Sequence, residues 1–171
     1  MDYFEIFGIP VQLRVEKAGL HQQFIALSRQ YHPDYHAQAG DEAQAEALEK
    51  SALLNKAYKT FQDSDETIRY VLLQKGLMEE EEKYTLPPAF LMEVMEINEQ
   101  LMDGDPTDPA VRASVESAIN TIQNEIYEPV ETIITGYQEG ITTPEDLLQV
   151  KEYYYKKKYL DRIRRQLAAN S

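Results

Sequence analysis

A chain of 171 residues holds one ordinary domain or two small ones, and its 43% apolar share, with 12 tyrosines and 5 phenylalanines, suffices for packed cores. A net charge of −13 disfavours a phosphate backbone as partner, and the lack of cysteine removes disulfides and thiolate metal sites. No apolar run reaches membrane-span length and residues 1–5 lack the basic start of a secretion signal, which predicts a cytoplasmic protein without a membrane partner.

Asp2 is placed to cap a helical turn over residues 3–7, which Gly8 and Pro10 end. From 16 to 31 the apolar positions Leu20, Phe24, Leu27 and Tyr31 recur at helical spacing, one face of an amphipathic helix. Pro33 stops it, because the residue before a proline is pushed out of the α region, so His32-Pro33-Asp34 sits on a loop. A second helix follows over 42–61, with Ala47, Leu54, Tyr58 and Phe61 on one side. The two stripes cover each other in an antiparallel hairpin with residues 33–41 at its tip. A shorter helix over 65–75 ends at Gly76.

Four consecutive glutamates from Glu79, then Pro87-Pro88, mark a change of composition, and 77–87 reads as a linker between two helical domains, 1–76 and 88–171. Residues 76–149 carry seventeen acids against Lys83 and Arg112, whereas 150–171 are basic. The second domain reads as three helices. The first spans 88–102, with Pro88 at its start. The second has apolar positions Val115, Ile119, Ile122, Ile126, Val130, Ile133 and Tyr137, is kinked or interrupted at Pro129 and closes at Gly140. The third opens on Thr143 as N-cap and carries Tyr153, Leu160, Ile163 and Leu167 on one side. The fold class is therefore all-α, a helical hairpin followed by an acidic three-helix bundle.

The first half resembles a J domain. The residues are Tyr3-Phe4-Glu5-Ile6-Phe7-Gly8-Ile9-Pro10, the 16–31 helix, His32-Pro33-Asp34, and Leu54-Asn55-Lys56-Ala57-Tyr58-Lys59-Thr60-Phe61, in that order. The tripeptide alone is a weak signal; its place between two amphipathic helices is a strong one. Asp34 suits pairing with an arginine of another protein, and His32 is a planar donor and acceptor beside it. The resemblance implies that these residues dock on the ATPase domain of a DnaK-class chaperone, where hydrolysis occurs. Arg29 and Tyr31, in the helical turn before the tripeptide, are expected to share that contact. No Walker-type glycine loop is present, so the chain reads as a non-enzyme without cofactor. Only Lys17 and Arg29 are basic in 16–31 and Tyr35 follows Asp34, which predicts weak or weakly salt-dependent docking.

In the second half, Ala89-Phe90-Leu91-Met92-Glu93-Val94-Met95-Glu96 and Tyr159-Leu160-Asp161-Arg162-Ile163 are similar to the HscB family, co-chaperones that deliver an IscU-type iron–sulfur scaffold to the chaperone HscA. The residues carry a reading of their own. Phe90, Val94, Ile97 and Leu101 form a stripe for the bundle core, and Leu91, Met95 and Met102 form a second stripe one residue, about 100°, around the helix. If the second stripe is exposed, with Met92 beside it and Glu93, Glu96 and Glu99 as an acidic rim, it suits a protein partner; if the helix is central, both stripes are buried. The resemblance implies scaffold binding at Leu91, Met92, Met95 and Tyr159.

Other readings are poorer. A His32–His36 metal pair is spoiled by Pro33 and lacks a third ligand. The Asp103/Asp105 loop has Asp108 and Ser114 where an EF-hand requires Gly and Glu. The tract Tyr153-Tyr154-Tyr155-Lys156-Lys157-Lys158-Tyr159 mixes rings and cations as nucleic-acid binders do, but packed tyrosines with lysines beside acidic neighbours account for it. A hydrolase using His32 and Asp34 has no nucleophile nearby. A J-domain protein serving another client through the same bundle is the alternative function.

Overall fold

A computed structural model of the chain describes residues 1–169, and among them there are helices and turns but no strand. The described chain forms two compact units: Met1–Lys75 with Tyr137–Ile141, and Gly76–Gly136 with Thr142 and the residues that follow.

In the first unit, α1 (Tyr3–Phe7) is held by a capping box in which the Asp2 carboxylate accepts from the Glu5 amide at 2.8 Å and the Asp2 amide donates to the Glu5 side chain. Helix α2 is Leu20–Tyr31 rather than the predicted 16–31. Gly19, at φ 80°, occupies a left-handed conformation that cannot continue a helix backwards, so residues 11–18 are irregular. They still bury Leu13 and Val15, core positions that periodicity does not mark. A 3₁₀ turn, Pro33–His36, replaces the irregular loop expected there, and α3 (Asp41–Phe61) runs back along α2. The antiparallel sense follows from the contacts: Phe24 stacks on Tyr58 with centroids 4.1 Å apart, and Tyr31 lies under Lys50. Helix α4 (Ser64–Gln74) starts on Asp63, whose carboxylate accepts from the Asp65 and Glu66 amides.

Phe61 centres the core of this unit. It meets Phe4 at 5.0 Å and Phe7 at 5.4 Å, while Tyr3 stacks on Tyr70 at 4.1 Å and its amide donates to the Tyr70 hydroxyl. Of the predicted α2 stripe only Leu20 is buried, because Phe24, Leu27 and Tyr31 face a single helix and stay half-exposed.

The second unit is the expected bundle of α5 (Pro88–Asp103), α6 (Pro109–Tyr127) and α8 (Pro144–Ala169), with α6 packed against both others. Phe90, Val94 and Ile97 meet Val115, Ile119 and Ile122 and then Leu160, Ile163 and Leu167 in one cluster. Thr143 caps α8 as its hydroxyl accepts from the Asp146 amide at 3.1 Å.

The predicted second helix of the bundle is interrupted where expected but closes earlier than expected. Pro129 ends it: a 3₁₀ turn, Glu128–Val130, separates α6 from a short α7 (Glu131–Thr135). Gly136, not Gly140, then closes α7. Tyr137 therefore lies outside any helix, in a segment grouped with the first unit, where its hydroxyl bonds Glu139 and Glu139 pairs with Lys75. Residues 77–87, read as a linker, belong to the second unit: Met78 is buried, Glu82 pairs with Lys151 at 2.7 Å, and Tyr84 stacks on Tyr155 at 4.5 Å. Met78 and Tyr84 flank the run of four glutamates, which hides them from a reading by composition.

Replacing Phe61 by Ala is predicted to cost about 3–5 kcal/mol, since it empties the centre of an aromatic cluster. Urea unfolding should show it, and a loss below about 1 kcal/mol would mean that the cluster does not hold the unit together.

Candidate functional site

The tip of the hairpin is built by proline chemistry. His32 takes the extended conformation that Pro33 favours, φ −66° and ψ 130°, and so leaves α2. Pro33 then opens the 3₁₀ turn at a position where its missing amide costs nothing. Three bonds close the turn. The Tyr35 amide donates to the His32 carbonyl at 3.1 Å, the Asp34 amide to His32 Nδ1 at 3.2 Å, and the His36 ring donates Nε2–H to the Gln30 carbonyl at 3.1 Å.

These bonds decide what the two polar side chains present. Because Nδ1 accepts from a backbone amide, the neutral ring carries its proton on Nε2, which is left for an outside acceptor. The Asp34 carboxylate lies 3.6 Å from the same Nδ1, too far for a hydrogen bond and facing an atom already used as acceptor. It is not tied down. The two side chains are 52% and 88% exposed.

Arg29, His32 and Asp34 line one depression of about 590 Å³, together with Phe24, Ile25 and Tyr35. Tyr35 is exposed and stands edge-on to the His32 ring, centroids 6.2 Å apart. Tyr31 is not part of this group. It lines a separate depression of about 260 Å³ with His36 and Lys50, and the Lys50 ammonium sits 5.6 Å from its ring. Lys50 also pairs with Glu46 at 2.9 Å; that bond and charge hold the Glu46 carboxyl below its ordinary range and the Lys50 ammonium above its own. His32 and His36 thus face different depressions, and among the described residues no three His, Asp or Glu side chains gather as a metal site. Ile25 is the residue that sequence reasoning passed over. It is exposed in the middle of α2 and lines the depression with His32 and Asp34, and its signal was available, since it falls off the Leu20/Phe24/Leu27 stripe.

A second face lies on α5. Phe90, Val94 and Ile97 turn into the bundle, and the helical step of about 100° per residue carries Met92, Met95 and Met102 to the other side. They are 67%, 57% and 85% exposed, with Leu91 half-buried at their edge. Glu93, Glu96 and Glu99 are all exposed, but they do not form one rim. Glu99 shares the methionine side and Glu96 borders it, whereas Glu93 lies apart from them and lines a depression of about 270 Å³ with Phe90, Glu125 of α6 and Lys156 of α8. Tyr159, on α8, is half-buried and edge-on to Phe90 at 6.3 Å.

Comparisons with known proteins cover both units of the chain. A family model described as the HSCB C-terminal oligomerisation domain matches residues 86–168. A co-chaperone protein HscB homolog of Vibrio atlanticus is 30% identical over 169 residues, covering 98% of this chain and 95% of the relative. That of Vibrio cholerae serotype O1 (strain M66-2) is 40% identical over 102 residues, a match that spans only 60% of the relative's length. The crystal structure of human co-chaperone protein HscB superposes with a TM-score of 0.76 at 27% identity, over 99% of this chain and 81% of the human one. Chaperone HscB from Vibrio cholerae superposes with a TM-score of 0.61 at 26% identity, over 98% and 99%.

His32→Gln is predicted to leave the urea unfolding midpoint almost unchanged, with a loss below about 1 kcal/mol, because it removes one solvent-accessible hydrogen bond. A loss above about 2 kcal/mol would assign His32 to holding the fold instead of to its surface.

Proposed function

The chain belongs to the HscB co-chaperone family, and from that premise we propose that it stimulates the ATPase of an HscA- or DnaK-class chaperone through its hairpin tip and delivers an IscU-type iron–sulfur scaffold protein held on its bundle. The observation that carries this reading is the tip itself: an imidazole and a carboxylate on a proline-locked turn, both open to solvent. The chain acts as a cytoplasmic adaptor and not as an enzyme, and it needs no cofactor.

The mechanism divides between the two faces. At the tip the ordering entropy of the turn is met in folding, so a chaperone that grips it loses little further freedom in the backbone. Asp34 offers two carboxylate oxygens to an arginine of the chaperone, and the His32 Nε2–H offers a donor beside them. Arg29, on the same depression, supplies the one cation of this contact. Tyr31 acts through position, packing the last turn of α2 against α3 under Lys50. On the bundle, the exposed methionines adapt to the apolar surface of the scaffold, Leu91 and Tyr159 border them, and Glu96 and Glu99 add charge at the margin. Glu93 stands outside this contact.

Two outcomes are expected. In a steady-state assay with an HscA-class chaperone, His32→Gln abolishes stimulation of ATP hydrolysis, and full stimulation by that variant would contradict the reading. Truncating Leu91, Met92 and Met95 together to Ala weakens scaffold binding at least about tenfold by calorimetry, as loss of a buried apolar anchor does. Stimulation measured without scaffold stays as it was.

A further inference from the structure

The basic residues of α8 fall into two groups. Lys151 pairs with Glu82 at 2.7 Å, Lys156 with Glu152 at 3.5 Å, and Lys157 and Arg164 share Asp161 at 2.9 and 2.8 Å. All four are half-buried along the helix. Lys158, Arg162 and Arg165 are exposed, recur at helical spacing, and make no ion pair among the described residues; Lys83 is exposed and likewise without one. Like charges four apart on a helix repel, so this row is disfavoured in the unbound chain and gains from an anion brought from outside.

The four cations converge. They line a single depression of about 320 Å³ whose wall is the stacked pair of Tyr84 and Tyr155. In a chain of net charge −13 it is a local reversal of sign. Tyr159 lines the same depression, and its ring is the one set edge-on to Phe90 of the bundle core. Tyr159 is thus shared by the basic depression and the surface proposed to hold the client.

We infer that Lys83, Lys158, Arg162 and Arg165 form a cationic rim that takes the carboxylates of a short acidic segment on the client protein, next to the client's apolar contact with the methionine face. The inference rests on the client reading given above. A carboxylate-bearing segment fits better than a nucleic acid, because Glu82 lines the depression and Glu79, Glu80 and Glu81 precede it, so an extended polyanion would run into like charge. Guanidinium groups grip carboxylates through paired N–H donors, and adjacent rings leave the pocket partly shielded from water.

The test is scaffold binding as a function of salt. Purified IscU-type scaffold is titrated by calorimetry into the full chain and into the double variant Arg162→Gln/Arg165→Gln, from low to high ionic strength. Two rim charge pairs together are worth about tenfold, so the variant should bind about tenfold more weakly at low salt and converge with the unaltered chain at high salt. Arg162→Lys/Arg165→Lys keeps the charge and should keep most of the salt dependence, which separates charge from packing. A scaffold that binds, responds to the Leu91, Met92 and Met95 truncations, and ignores the arginine change overturns the rim alone. A scaffold that does not bind the unaltered chain overturns the client reading and the rim with it.

Discussion

The interaction on which the rest depends is the proline-forced exit of the chain from α2 at His32. Proline disfavours the helical region for the residue before it, and His32 leaves that region, so α2 stops with its last turn still packed on α3, and the next four residues close into a tight turn. The His32 ring accepts the Asp34 amide and the His36 ring donates to Gln30, so the turn is tied to the helix from both ends. The outcome is a fixed presentation of two polar groups whose outward-facing atoms remain unused. Everything inward of the tip serves that presentation: the Phe24–Tyr58 stack, Tyr31 beneath Lys50, and the aromatic cluster round Phe61.

The second unit solves a different problem. A helix at the edge of a three-helix bundle buries one stripe, and α5 carries two. Packing takes Phe90, Val94 and Ile97, and geometry then leaves Met92, Met95 and Met102 in solvent. Exposed unbranched apolar side chains gain nothing for the isolated chain and suit a surface that must fit another protein. Charge follows the same division on α8, where the bases that stabilise the helix are matched by carboxylates and those facing Tyr84 and Tyr155 are not.

Most of the fold was legible because its elements are long and periodic. The Leu54–Phe61 face of α3, the core stripe of α5 and the Thr143 cap of α8 all stand where spacing and capping chemistry put them. What was not legible had no period. Leu13 and Val15 are buried from an irregular segment, and Met78, Tyr84 and Leu86 pack inward from a run dominated by glutamate. Tyr137 continued the apolar spacing of α6 on paper, yet Pro129 and Gly136 had already ended the helix. The two surfaces show the same contrast. The tip is marked by a local motif, whereas the basic depression joins residues 83–84 to 155–165 and exists only once the chain has folded. Glu93 could not be sorted from Glu96 and Glu99 without knowing which side of α5 borders the depression shared by α6 and α8.

The central claim, that the turn after α2 is what the ATPase grips, is tested most directly by mapping backbone amide shifts of the labelled chain as an HscA-class chaperone is added. The account predicts perturbations concentrated on residues 29–36 that vanish in Asp34→Asn. Perturbations confined to other residues, or undiminished in that variant, would contradict it.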